Sequence, residues 1–236
     1  MNLKYKILAV LAAGIALTAC GSSGTPASTP ASSAVPASSH VAEEGVTEPI
    51  NLRTWTLDDL DDTQTTTFVS ASITSGVQNG KLTAKVFGYD IYKKEEIEKL
   101  AVGDKIAFHE EGAAQDQCVT TEVKSIERND QYHFVSINGG IEAGGVELTL
   151  DHDVYRTVTF DDYPVYYEMG EVTLPLAGGV TLSDSSADPQ ASAVETDGAD
   201  AVAEAVNAEP DGWMPNNTLV FTEDGTISSI VRIWVP

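Results

Sequence analysis

Cys118 comes closest to a catalytic nucleophile in this sequence, because a thiol becomes reactive when a neighbouring base removes its proton. His133 and His109 are the histidines nearest to it along the chain, and either could act as that base. Residues 115–120, however, match no thiol-protease signature and bring no positive charge that would lower the pKa of the thiol. The pattern therefore favours an inert cysteine, and an envelope hydrolase that uses Cys118, with His133 or His109 as the base, is the alternative.

The acidic residues around His152 form the most compact candidate metal site. On a strand, the carboxylates of Asp151 and Asp153 would share one face while His152 pointed the other way. Calcium suits two carboxylates better than zinc does, because hard cations prefer oxygen ligands. The sequence contains no EF-hand loop and no pair of histidines at zinc-ligand spacing. A calcium-stabilised adhesion or binding protein is thus a second alternative, with Asp151 and Asp153 as the candidate ligands.

A run rich in aromatic and acidic residues, 155–168, is the candidate recognition surface. Aromatic faces stack on sugar rings or cations, and carboxylates accept hydrogen bonds from hydroxyl or ammonium groups. Such a surface could bind cell-wall glycan, a peptide or a cationic ligand, although aromatic residues are also ordinary members of strands. The predicted ligand-binding residues are Tyr155, Tyr163, Tyr166, Tyr167, Asp161 and Asp162.

The first 20 residues have three regions in the order of a bacterial export signal. Lys4 and Lys6 precede an apolar run of 11 residues, whereas a helix needs about 20 residues to cross a bilayer. The next residues, Leu17-Thr18-Ala19-Cys20, resemble the lipobox of bacterial lipoproteins. The resemblance implies that a signal peptide, 1–19, is removed and that Cys20 carries lipid such as palmitate. It also implies a location on the extracytoplasmic face of the cell membrane or the outer membrane.

Lipid on Cys20 leaves Cys118 as the other cysteine of the chain, with no intrachain partner. The folded part must then be held by its hydrophobic core without a disulfide. Residues 20–49 are rich in Ser, Pro and Ala, which predicts a flexible linker between the lipid and the domain.

The mature chain is strongly acidic. The sequence has 36 acidic and 13 basic residues, and loss of Lys4 and Lys6 with the signal peptide leaves 11 bases and a net charge of −25. This charge repels nucleic acid and anionic lipid headgroups. We therefore expect no nucleic-acid partner, and membrane contact through the lipid on Cys20.

Residues 50–236 are predicted to form a single β-rich domain. Runs rich in Val, Ile, Thr and aromatic residues are separated by tight-turn signals, where Asn, Asp and Gly tolerate positive φ. The turn signals are Asn79-Gly80, Asn129-Asp130, Asn138-Gly139-Gly140 and Asp224-Gly225. The predicted fold is an antiparallel sheet that forms a small barrel or sandwich. The last strand has apolar residues on both faces, which is typical of a strand covered on both sides.

Two further segments depart from the strand pattern. One short helix is predicted at about 93–101, where Ile97 and Leu100 share an apolar face. Residues 100–106 resemble the L-x-x-G-D-x-I sequence that leads into a strand in small OB and SH3-like barrels, which implies architecture and not activity. Residues 183–212 contain eight acidic residues, no basic residue and no aromatic residue, which predicts a disordered acidic insertion.

The motifs of common enzyme classes are absent from the sequence. It contains no phosphate-binding loop, no serine-hydrolase elbow, no penicillin-binding motif and no zinc-protease helix. The sequence therefore favours a non-enzymatic binding or accessory module at the cell envelope, anchored by lipid.

Overall fold

The computed structural model describes residues 45–50, 56–62 and 67–236. The signal peptide 1–19, Cys20 and most of the linker 20–49 lie outside the described residues, so lipid anchoring stays a prediction. The strands are β1 (Val46–Thr47), β2 (Thr67–Gln78), β3 (Lys81–Tyr89), β4 (Ile91–Lys93), β5 (Lys105–His109), β6 (Cys118–Glu122), β7 (Ile126–Asn129), β8 (Phe134–Ile137), β9 (Val146–Asp151), β10 (Val154–Thr157), β11 (Tyr166–Asp184), β12 (Val194–Asp197), β13 (Thr218–Glu223) and β14 (Thr226–Arg232). The helices are α1 (Leu57–Asp62), α2 (Lys94–Lys99) and α3 (Ala199–Ala208).

The predicted mainly β fold class is confirmed. Five strands close into a barrel in the order β11-β14-β13-β2-β3, and β3 pairs back to β11. The 19-residue β11 closes the ring, because its first half is antiparallel to β3 and its second half is parallel to β14. The turns predicted at Asn79-Gly80 and Asp224-Gly225 join β2 to β3 and β13 to β14.

The interior of the barrel is filled by alternate side chains of all five strands, as a period of two along each strand requires. Leu60 of α1 and Val202 and Val206 of α3 pack against the same core. The buried strand residues include Val69, Ala71, Ile73, Leu82, Ala84, Val86, Val172, Leu174, Val220, Ile227 and Ile230.

The last strand of the barrel contains a bulge that changes which residues face inward. Phe221 pairs with Ser229, whereas the next residue, Thr222, pairs with Ile227, so β14 has one extra residue there. Ile227 and Ile230 are three residues apart, yet both are buried in the barrel. The apolar residues on both faces of the sequence pattern thus reflect a bulge, and not a strand buried on both sides.

Residues 91–157, which lie between β3 and β11 in the chain, form a second β unit together with β1. Its five-stranded antiparallel sheet has the order β4-β10-β9-β8-β7, and a three-stranded sheet has the order β1-β5-β6. Both sheets and α2 contribute to one hydrophobic core. The core residues are Tyr92, Ile97, Leu100, Ile106, Phe108, Val123, Val135, Ile137, Val146, Leu148 and Tyr155.

Helix α2 confirms the helix predicted near 93–101, although it is shorter. Ile97 is fully buried, as its apolar face predicts. The predicted linker also ends earlier than expected, because Val46 and Thr47 pair in parallel with β5. Among the described residues, none of the helices is long and apolar enough to cross a membrane.

The acidic segment, residues 183–212, is not disordered as the sequence predicted. Its strand β12 pairs with the end of β11, and α3 buries Val202 and Val206 against the barrel core. Asn207 also fixes an irregular point of β2, because its side chain accepts a hydrogen bond from the Val77 amide (2.8 Å) and donates one to the Val77 carbonyl (3.0 Å). Two valines and one asparagine therefore order a segment whose overall composition favours disorder.

Candidate functional site

A buried aspartate and histidine meet where the barrel joins the second β unit. Asp90 lies between β3 and β4, and His109 is the last residue of β5. Asp90 Oδ1 is 2.8 Å from His109 Nδ1, and Asp90 Oδ2 accepts a hydrogen bond from the His109 backbone amide at 2.6 Å. Asp90 is 2% exposed and His109 is 9% exposed. The geometry is therefore that of a buried ion pair at the junction.

The loop 110–117 connects this ion pair to β11. His109 Nε2 is 3.0 Å from the Gln115 carbonyl oxygen, and the His109 ring stacks on Tyr167 of β11 at 4.0 Å between centroids. The loop backbone also pairs with β11, because the Glu168 amide donates to the Ala113 carbonyl and the Gln115 amide donates to the Glu168 carbonyl. These contacts of His109 and of the loop 110–117 with β11 thus link the second β unit to the barrel.

Both ring nitrogens of His109 face acceptors, an arrangement that favours the doubly protonated imidazolium. The Gln115 carbonyl can only accept, and the Asp90 carboxylate accepts when ionised. Burial lowers the pKa of His109, but the hydrogen bond and charge of Asp90 and the Gln115 carbonyl raise it more, and the net pKa is raised. An imidazolium with both protons engaged has no free nitrogen to act as a base towards Cys118.

Cys118 lies directly opposite His109 in the pairing of β5 with β6. Burial, followed by the charges of Asp90 and Glu48, raises the pKa of the Cys118 thiol to about 11. The thiol is therefore protonated at neutral pH, whereas a nucleophilic cysteine needs a lowered pKa. His133, the other candidate base, is an exposed residue with positive φ in the turn between β7 and β8. The structure therefore places His109 opposite Cys118, but the pKa of the Cys118 thiol is raised and not lowered.

The candidate metal ligands Asp151 and Asp153 do not share a strand face. Asp151 pairs with Val154, so His152 and Asp153 are the two turn residues of the β9-β10 hairpin, and His152 has positive φ. Asp151 contacts His152 Nδ1 at 2.7 Å. Among the residues that the structure describes, no group of three or more His, Cys, Asp or Glu side chains is arranged to hold a metal ion. Calcium binding stays a prediction.

The six predicted ligand-binding residues are divided among four places. Tyr155 is buried in the core of the second β unit, and Tyr167 stacks on His109. Asp161 and Asp162 are exposed in the loop before β11, where Asp162 forms an ion pair with Arg156 at 3.2 Å. Tyr163 and Tyr166 are half-buried. The run 155–168 therefore does not form one continuous surface.

Tyr166 belongs to an aromatic patch on the outer side of the barrel, which we call the outer aromatic face. The face consists of Phe68 on β2, Phe87 and Tyr89 on β3, Tyr166 on β11 and Phe221 on β13. Tyr166 pairs with Tyr89 and Phe221 pairs with Phe68, so these side chains are neighbours on adjacent strands. Their rings lie 6.0 Å and 5.2 Å apart. Phe68 is 49% exposed and the others are partly exposed.

Three carboxylates border the outer aromatic face. Glu168 pairs with Phe87 in the β-ladder and forms an ion pair with Lys85 at 3.0 Å. Glu171 pairs with Lys85 and accepts a hydrogen bond from Thr74 at 3.3 Å. Glu223 lies two residues beyond Phe221 on the same side of β13 and is exposed. The face therefore combines apolar rings with negative charge, which suits stacking and cation contacts.

Tyr166 is predicted from the sequence as a ligand-binding residue, but the four other members of the outer aromatic face are not. The signal for Phe87 was present, because Phe87 falls on the outward side of β3 with Lys81, Thr83 and Lys85. The pairing that places β13 beside β2 could not be inferred, since about 140 residues separate those strands.

A second buried cation, Arg232, lies near the other end of β11. Arg232 is 5% exposed, and its guanidinium lies 4.2 Å from the centre of the Trp213 ring. Its Nε donates to both carboxylate oxygens of Asp184 at 3.1 and 3.0 Å, and its Nη2 donates to Glu209 at 2.7 Å. One aromatic ring and two carboxylates therefore hold this cation.

Comparisons with protein families, characterised proteins and solved structures found no match. Fold and site together define a mainly β protein with a closed barrel, a buried ion pair at its junction and an aromatic outer face.

Proposed function

We propose that this protein is a lipid-anchored, non-enzymatic binding module at the extracytoplasmic face of the bacterial cell envelope. The observation that carries the binding role is the outer aromatic face, where five rings on four adjacent strands are partly open to solvent. Soluble domains usually bury aromatic rings. Patches of exposed aromatic rings occur more often at recognition sites than elsewhere on a protein surface.

The chemistry of the junction supports a role without catalysis. Cys118 is held as a neutral thiol, and both nitrogens of His109 are engaged. A thiol with a pKa of about 11 in place of 9.0 has about a hundredfold less thiolate at a given pH. Alkylation of native Cys118 with iodoacetamide at pH 8 should therefore be about a hundredfold slower than that of the unfolded chain. Equal rates would favour the hydrolase alternative.

A binding assay tests the outer aromatic face directly. The mature chain, made with Cys20→Ala so that it carries no lipid, is incubated with envelope fragments of the source bacterium and sedimented. We expect the double variant Phe68→Ser, Phe221→Ser to bind at least about tenfold more weakly, because two central rings are lost.

The matched control removes exposed apolar groups elsewhere. Tyr132 and Val102 are 68% and 64% exposed on the second β unit. The variant Tyr132→Ser, Val102→Ser should bind as the parent chain does. Circular dichroism and thermal melting confirm that each variant is folded. Equal retention of the parent and the Phe68→Ser, Phe221→Ser variant on the envelope would refute the proposed surface.

The anchor is tested separately on the full chain in a bacterial host. Metabolic labelling with an alkyne fatty acid should mark the parent protein, which should sediment with membranes. The variant Cys20→Ala should be unlabelled and should leave the membrane fraction, because a lipid chain supplies the membrane affinity. An unlabelled parent protein would contradict lipid anchoring without affecting the binding surface.

A further inference from the structure

The part of the chain that contains three strands of the barrel is strongly acidic. Residues 157–236, which contain three strands of the barrel, carry 14 acidic residues and a single basic residue, Arg232. That arginine is buried and is already paired with Asp184 and Glu209. The bases nearest to the outer aromatic face are Lys85 and Arg156, and they are already paired with Glu168 and Asp162. A partner that approaches the face therefore also meets Glu171 and Glu223, whose charges these two bases offset only in part.

The carboxylates closest to the rings lie at two borders of the face. Glu168 and Glu171 lie on β11, and Glu223 lies at the end of β13. Lys85, the base at the β11 border, is already in contact with Glu168. Aromatic faces flanked by carboxylates attract ammonium and guanidinium groups through both ring and charge.

The same protein holds a cation in this way in its interior. The Arg232 guanidinium lies over the Trp213 ring and contacts two carboxylates. The outer aromatic face repeats the combination of aromatic ring and carboxylate on a larger, open surface.

Other occupants fit these charges less well. A second copy of this chain would bring another net charge of −25, which opposes close approach of two acidic faces. A phosphate-bearing polymer would be repelled for the same reason. A neutral glycan could stack on the rings and donate hydroxyl hydrogen bonds to the carboxylates, but it carries no positive charge to balance theirs.

We infer that the outer aromatic face binds a lysine-rich or arginine-rich polypeptide segment. This inference rests on the proposed binding function and specifies its partner. The basic side chains would contact the rings and the bordering carboxylates, while the apolar stems of these side chains would cover the exposed part of Phe68.

Fluorescence anisotropy with a labelled nona-arginine peptide tests the partner class on the mature chain with Cys20→Ala. We expect binding that weakens as salt is added and that falls about tenfold in the Phe68→Ser, Phe221→Ser variant. Labelled nona-glutamate should not bind. Because an acidic protein attracts any polycation, the decisive comparison is between two variants with equal loss of charge.

The first charge variant, Glu171→Gln with Glu223→Gln, neutralises two borders of the face and leaves the Lys85 ion pair intact. The second, Asp200→Asn with Glu204→Gln, removes the same charge from exposed positions on α3. Helix α3 contacts β2 near Val77, about 30 Å along the strand from Phe68. The first variant should weaken peptide binding about fivefold, and the second less than about twofold.

Equal weakening by the two charge variants would overturn the inference, because the attraction would then come from the overall charge. Absence of peptide binding, together with envelope binding that still depends on Phe68 and Phe221, would also overturn the inference but leave the proposed function in place. Labelled chitohexaose and sedimentation velocity identify a neutral glycan or a second copy as the occupant, and either result overturns the inference. Envelope binding that is independent of both rings would refute the proposed function itself.

Discussion

His109 and Arg232 are both buried cations, but the two ends of β11 hold them in different ways. His109 has one carboxylate partner, Asp90, at the junction with the second β unit. Arg232 has two carboxylate partners and an aromatic ring within the barrel. The imidazolium of His109 loses its proton as the pH rises through its raised pKa, whereas the guanidinium stays charged at every physiological pH.

The difference gives the two regions opposite responses to pH. The folded pKa of His109 is raised above its ordinary value of 6.5, so its contribution to stability is complete below about 6.5 and is lost as pH rises through the folded pKa. Burial raises the pKa of Asp184, but hydrogen bonds from Arg232 and Ser186 lower it by more, so the net pKa lies below its ordinary value of 3.8. That contribution is present above 3.8 and is lost as pH falls through the folded pKa.

Asp90→Asn should have the largest effect on stability. It leaves the His109 cation buried without its counterion, and loss of one partner of a buried pair costs about 4 kcal/mol of unfolding free energy. Urea unfolding of the parent chain and the variant at pH 6 measures this loss. Asp151→Asn is the matched control, because the Asp151-His152 pair is exposed and should contribute about 0.5 kcal/mol or less. Equal losses in the two variants would show that the junction ion pair is not buried in solution.

Arg232→Lys should have the next largest effect, about 2 kcal/mol, since an ammonium cannot contact Asp184 in two places and also stack on Trp213. Glu209→Gln is its control, because the Glu209 side chain is 61% exposed and the variant should lose about 0.5 kcal/mol. The same urea titrations measure both. A loss for Arg232→Lys no larger than the control would mean that the cation contributes charge alone.

The pH dependence should be smaller and should separate the two regions. Between pH 6 and 8 the unfolding free energy of the parent chain should fall, because the unfolded chain releases the His109 proton at a lower pH than the folded chain does. The variant His109→Gln should lack this fall, and Arg232→Lys should retain it. A fall that persists in His109→Gln would assign the proton to another group.

The sequence predicts most of the barrel but little of either cation site. Alternation of polar and apolar residues gives β3, and turn residues give two hairpins, because both are local signals. The junction could not be predicted, since Asp90 and His109 are 19 residues apart and no spacing rule links a strand end to a loop residue. The bulge in β14 also depends on its partner strand, and one extra residue changes which side chains are buried.

The order of the acidic segment and the position of the outer aromatic face could not be predicted, for a related reason. Composition averaged over 183–212 hides Val202 and Val206, which are buried only because the end of the barrel offers them a core. The rings of Phe68 and Phe221 become neighbours only when β13 pairs with β2. Local patterns therefore predict strands and turns, whereas sites that combine distant strands require the pairing itself.

Cys118→Ser should have the smallest effect and tests whether the junction is only structural. The thiol lies opposite His109, and its pKa is about 11 in the folded chain and 9.0 ordinarily, so it contributes little to the pH dependence of stability below pH 8. The variant should lose less than about 1 kcal/mol, because the residue is only half-buried and a hydroxyl is close to a thiol in size. Its unfolding should keep the pH dependence that His109 provides, and its envelope binding should equal that of the parent chain. If Cys118→Ser instead altered the pH dependence between 6 and 8, the thiol and the imidazole would share a proton. The junction would then resemble a thiol-histidine pair more closely than the Arg232 cluster.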